Sequence, residues 1–312
     1  MRDSVGWRLH LSTQPVVAIQ FMSGESDVPQ VAVWDNRHSV HFYDRRDATP
    51  LGELRLTGVE PPDDLTAESW REVAETLRAP NGPYLPSVYL NRLVIHQSGD
   101  GRMRLYHFQD GSLILEVDGR HIALDREQDG RFLVAGLDRA LGMSGAFNDE
   151  GMLHIFQQHV RVGIFEIGLK LGLDARLNLV VPEAQGQIIL SDGERILVVD
   201  SAGQVKDELV THYTAGALAT SPDGSLLAVA DIDDNLVRVY TEGLRPTHQK
   251  HAIDLMANAR QVQLLASLPG RKAGLGALEI ADDGTIGFAL GGVVCVTCLK
   301  ALDELPQPQS LL

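Results

Sequence analysis

Residues 215–243 read AGALATSPDGSLLAVADIDDNLVRVYTEG, and their pattern decides the fold. Small and apolar residues open the stretch and Ser221-Pro222-Asp223-Gly224 interrupts it. An apolar run follows from Leu226 to Ala230, Asp233-Asp234-Asn235 interrupts again, and Val237, Val239 and Tyr240 close the pattern. Pro222 presets the φ of the first turn residue and Gly224 supplies a positive φ, while Asp233 and Asn235 are short enough to tolerate the left-handed region. The reading is strand, tight turn, strand, tight turn, strand, a meander.

The same punctuation recurs along the chain. QVAVWD (30–35) turns into SVHFYD (39–44), RMRLYHF (102–108) into SLILEVD (112–118), MLHIF (152–156) into VRVGIFE (160–166), and QIIL (187–190) into RILVVD (195–200). The unit above follows, and TIGFALGGVVCVTCLK (285–300) is the last. Third strands end on an apolar–polar pair: Tyr43-Asp44, Val117-Asp118, Phe165-Glu166, Val199-Asp200 and Tyr240-Thr241. Copies of one meander kept in phase predict an all-β propeller of six four-stranded antiparallel blades. The order SPDG, apolar strand, polar turn, VRVY resembles the blade of the WD40 and WD40-like β-propellers, with Tyr240-Thr241 where that family has its Trp-Asp pair. The resemblance implies a rigid disc that binds other proteins.

The longest interval between hairpins, from Asp44 to Gly101, has room for a degenerate seventh blade. Its sequence, PPDDLTAESWREVAETLRAPNGP, reads instead as an inserted helix over 61–80. Asp64 or Thr66 is the cap, Trp70, Val73, Ala74 and Leu77 form one apolar face, and prolines bound it. A propeller must close, because an open ring exposes unpaired strand edges. Residues 301–312 form a Pro-containing polar tail with no good outer strand, whereas Trp7 to Ser12 alternates like one. The N-terminal segment is therefore expected to close the last blade, within a single domain spanning 1–312.

The chain has 27 Lys+Arg against 42 Asp+Glu, a net charge of −15. That surface repels phosphate backbones and anionic lipid, which argues against nucleic-acid and membrane partners. No apolar run approaches the length of a membrane span, the N-terminus lacks a signal-peptide core, and two cysteines make no disulfide framework, so the expected location is the cytoplasm. Cys295 and Cys298 have redox or zinc spacing, but residues three apart in a strand point to opposite faces. The histidines form no ligand pair, and the acids at 231–234 lack an EF-hand's Gly and terminal Glu. No nucleophile elbow, phosphate loop or dinucleotide fingerprint is present, so no cofactor or metal is expected. Inner-strand positions are mostly apolar or small, with Gln20, Asn91, Asn178 and Glu279 as polar exceptions.

The function that follows is a non-catalytic scaffold, a subunit or adaptor of a larger complex. The alternative is a propeller enzyme of the hydrolase or lactonase kind, or a small-ligand binder, with its site at the central channel. Candidate partner-binding residues lie on the turns between second and third strands, which share one face of the disc: Arg37, His38, Asp110, His159, Asp192, Glu194, Asp233, Asp234 and Asn235. Trp70 of the inserted helix is a further candidate.

Overall fold

The computed structural model describes residues 6–11, 16–22, 30–35, 39–55, 85, 87–90, 93–98, 101–124, 126–138, 140, 142–158, 160–172, 175–183, 185–263 and 275–305. Among them, six sheets follow one another around an axis. Blade 1 is β2 (Val16–Met22), β3 (Gln30–Asp35), β4 (Ser39–Asp44) and β5 (Pro50–Arg55). Blade 2 is β6 (Ser87–Leu90), β7 (Leu93–Gln97), β8 (Met103–Phe108), β9 (Leu113–Val117) and β10 (Arg120–Leu124). Blade 3 is β11 (Phe132–Leu137), β12 (Met143–Asn148), β13 (Met152–Gln157) and β14 (Val160–Glu166). Blade 4 is β15 (Asn178–Val180), β16 (Gln187–Ser191), β17 (Arg195–Asp200) and β18 (Val205–Val210). Blade 5 is β19 (Ala215–Thr220), β20 (Leu227–Asp231), β21 (Leu236–Thr241) and β22 (Arg245–His251), extended by β27 (Asp303–Glu304). Blade 6 is β24 (Leu275–Ile280), β25 (Thr285–Leu290) and β26 (Val293–Cys298), with β1 (Trp7–His10) fourth and β23 (Arg260–Gln263) outside it.

Alternation along each strand gives a sheet two apolar faces, and each face packs on the next sheet. The result is six apolar clusters, one between every neighbouring pair of blades, including blades 6 and 1. The ring is thus a closed six-bladed β-propeller, with no seventh blade among the described residues. The N-terminal strand closes it as expected: β1 runs antiparallel to β26 with Trp7 opposite Val296 and His10 opposite Val293. Trp7 and Leu9 are 3% and 1% exposed in the cluster between blades 6 and 1. Burying side chains of this size contributes roughly 1.5–3 kcal/mol each.

The repeat is written into the backbone as well as the sequence. Inner strands of blades 1, 3, 5 and 6 carry one extra residue near their start, at Val17, Leu133, Gly216 and Gly276. Fourth strands of blades 1, 3, 4 and 5 carry one at Leu51, Val162, Lys206 and Thr247. A bulge bends the strand and raises its twist, and on an outer strand it hinders pairing with another chain.

The structure corrects the sequence reading in several places. Three blades have five strands rather than four. In blade 2 the extra strand is β6, on the channel side of β7. The phase there is fixed by Phe132 N donating to Gly111 O, as Ala215 N donates to Gly193 O and Val16 N to Gly291 O at the second-to-third-strand turns of blades 4 and 6. In blade 3 the hairpin 152–166 is the third and fourth strands, because MSGAFN at 143–148 supplies the second. The C-terminal segment 301–312 is not tail throughout, since Asp303 and Glu304 pair with Gln249 and His248. The insertion at 61–80 lies outside the described residues.

Candidate functional site

Turn chemistry explains much of the acidic surplus. In hairpin after hairpin an aspartate carboxylate accepts backbone N–H groups two to four residues on, satisfying donors that the turn leaves unpaired. Asp110 accepts from Ser112 N at 2.8 Å, Asp200 from Ala202 N and Gln204 N, and Asp283 from Thr285 N. Asp231 takes Asp233 N and Asp234 N, both at 3.1 Å, on one oxygen. Its other oxygen holds the Arg238 guanidinium at 2.7 and 3.0 Å. These bonds make the turns stiff.

Among the predicted partner-binding residues, Glu194, Asp233 and Asp234 are exposed on neighbouring turns of blades 4 and 5. The turns are tied together: Ala215 N donates to Gly193 O at 2.7 Å, and Thr214 N donates to the Asp233 carboxylate at 2.7 Å. Glu194 reaches Lys170, whose ammonium is held protonated to higher pH by that carboxylate. Asn235 adopts the left-handed region, φ 52°, as the sequence required, and its half-buried side chain ends in a carbonyl with no hydrogen-bond partner among the described residues. Asp110 is exposed on the same face, in blade 2.

Asp192 does not belong to this surface. It is 4% exposed and spent inside the protein, accepting from Glu194 N, Arg195 N and Lys170 N. Arg37, His38, His159 and Trp70 lie outside the described residues. Gln158, at the turn from β13 to β14, joins third strand to fourth, so the chain direction puts that turn on the opposite face of the disc from Asp233.

A second site lies on the axis, a cavity of about 270 Å³ lined by the inner strands of all six blades. Gln20, Asn178 and Glu279, polar exceptions in the sequence, are on its wall, and Asn91 lies outside the described residues. Sequence reading missed Ser87, His96, Glu183 and Thr220, which also line it. Gln20, Thr220 and Glu279 fall toward the C-terminal ends of their strands. Ser87 begins the oppositely directed β6, with its Oγ 2.9 Å from His96 Nδ1. Most of the polar wall therefore gathers at the mouth beside the first-to-second-strand turns. There Gln185 donates to Asp223 O and Asp223 N donates to Asp282, linking blades 4, 5 and 6 around the rim.

Other buried polar groups serve the core. Tyr213 and Tyr240 share a 2.5 Å hydrogen bond beneath the Arg238 guanidinium, and burial raises the pKa of both phenols. His154 packs edge-on against Phe132 with its Nδ1 4.0 Å from Asp129, and burial lowers its pKa. Cys295 packs between blades 5 and 6, where burial pushes its thiol up to about 12, while Cys298 is half-buried three residues along the same strand. Among the described residues no group of acidic, histidine and cysteine side chains could hold a metal ion.

Fold and sites together define a six-bladed β-propeller with a turn face and an axial cavity. A scan against models of protein families matches none of them, and a search of curated proteins finds no match. Among the described residues no helix is long and apolar enough to cross a membrane.

Proposed function

We propose that this chain is a non-catalytic, WD40-like propeller platform of the cytoplasm that binds a partner protein bearing a basic patch, as an adaptor or subunit of a larger complex. The observation that carries the reading is the contiguity of Glu194, Asp233 and Asp234 across two blades whose turns are bonded to each other. Turns already fixed by carboxylate-to-backbone bonds lose little freedom on docking, which lowers the entropic cost of association. Exposed charge of one sign steers encounter, so it acts on the association rate more than on the final affinity. In support of the family likeness, Tyr240-Thr241 ends the third strand of blade 5.

The test captures partners from the native source on the wild-type chain and on Asp233→Lys/Asp234→Lys, then follows association by surface plasmon resonance. The expected result is an association rate roughly tenfold lower, with a flatter dependence on salt, and a cooperative melt lowered only by loss of the Thr214–Asp233 bond, about 0.5–1.5 kcal/mol. A partner that binds both chains at equal rates refutes this docking surface. Loss of that binding with Trp70→Glu would move the contact to the inserted segment.

A further inference from the structure

We infer that the axial cavity binds a small neutral polyhydroxylated molecule, of the size of a short linear polyol or a single sugar ring. The inference starts from Gln20 on β2, which is 2% exposed and lines the cavity. Its Oε1 lies 3.3 Å from Trp34 Nε1. An indole N–H can only donate, so the amide oxygen must be the atom facing it, and the orientation of the carboxamide is fixed. The Nε2 group then opens onto the cavity as a donor, with no hydrogen-bond partner among the described residues.

The remaining wall supplies acceptors. Asn178 Nδ2 faces two carbonyl oxygens, Arg176 O at 3.1 Å and Ala215 O at 3.5 Å, which leaves Oδ1 to accept. Glu183 and Glu279, each already engaged by another group, bring negative charge to the wall, and no Lys or Arg is among the described lining residues. Together with the net charge of −15, this disfavours an anionic occupant. An ammonium group can only donate, so it cannot meet the Gln20 donor. A hydroxyl both donates and accepts through one atom, so a molecule carrying several can meet the amide donor and the acceptors alike. Leu179, Leu218 and Leu278 give the C–H surface of such a molecule an apolar wall. The volume, about 270 Å³, lies just under the low end of ordinary small-molecule sites at roughly 300 Å³, which limits the occupant to one small ring or a short chain.

Saturation-transfer NMR and calorimetry on the full chain would use xylitol and glucose, with putrescine and succinate as the charged comparisons. Xylitol or glucose should bind, and neither charged compound should. Gln20→Glu keeps an oxygen for Trp34 but replaces the donor by an acceptor, so it should weaken polyol binding roughly tenfold or more. Ala217→Leu, which fills the cavity from blade 5, should abolish binding, and it provides the same test if Gln20→Glu lowers the melting temperature. The inference is overturned if neither polyol binds, which would leave a cavity holding water only. It is also overturned if putrescine or succinate binds more tightly than both polyols, or if folded Gln20→Glu and Ala217→Leu bind polyols as the wild type does.

Discussion

Both described ends of the chain supply a strand to a blade whose other strands lie elsewhere in the sequence, and they do so on opposite terms. β1 brings Trp7 and Leu9 into the cluster between blades 6 and 1, hydrogen-bonds on both sides, and is clasped between β26 and the parallel strand β23. β27 adds two exposed residues to the edge of β22, and its principal side-chain contact is a pair between Asp303 and Lys250 at 3.1 Å. One strand completes a core and the other covers an edge. A ring depends on the strand that carries apolar surface, because backbone pairing alone exchanges bonds with water at little net gain.

Deleting residues 1–13 should break this asymmetry most severely. It uncovers the edges of β26 and β23 and removes both buried side chains, so the expected outcome is aggregation in size-exclusion chromatography with no cooperative melt. A monomer that melts as the wild type would refute the role given to β1. Trp7→Ala should cost about 3–5 kcal/mol in urea unfolding, since it removes a buried indole and its bond to Arg45 O. Gly6→Ala probes the same junction with one methyl group. A Cβ there would sit 1.8 Å from Val296 O, so the backbone must shift, at roughly 1–3 kcal/mol.

The counterpart at the other end should be small. Stopping the chain after Leu302 removes β27 and an exposed ion pair, and urea unfolding should register below about 1 kcal/mol. A loss comparable to that of Trp7→Ala would mean that blade 5 needs its fifth strand. The smallest signal is chemical. Cys295 is fully buried with its thiol held protonated, so alkylation at neutral pH should be confined to Cys298 until blade 6 opens. Faster modification of Cys295 in Trp7→Ala, at a temperature where the protein stays folded, would locate the weakened contact in that blade.

The fold was legible wherever apolar alternation coincided with turn residues. Asp223-Gly224, Asp233-Asn235 and Asp192-Gly193 mark real turns because their φ values and carboxylate bonds demand those residue types. Blade 3 was misphased because β12 is buried on both faces along its whole length, which erases the two-residue period, and because Ser144, Gly145 and Ala146 have weak strand preference. Those small residues are there for close packing: a Cβ on Gly145 would lie 2.6 Å from Ile188. Strands β6, β23 and β27 were unreadable because they are short and owe their existence to an edge elsewhere in the chain. At the site, Gln20, Asn178 and Glu279 stood out as polar residues on inner strands. Asp192 misled, since nothing in a turn's sequence tells a carboxylate that faces solvent from one folded back onto its own backbone.

The clasp around β1 also sets an order of events during synthesis. Trp7 to His10 leave the ribosome ahead of every other strand of the ring, yet their antiparallel partner, Val293 to Cys298, is made only after blades 1 to 5. At about 5–20 residues per second, some 15–60 s separate the two. Until β23 and then β26 are made, the nascent chain carries an apolar strand with nothing to pair with, and blade 1 has one side uncovered. A chaperone that shields apolar extended segments should therefore find its principal binding site in this protein at the N-terminal strand, and should be released by completion of the last blade.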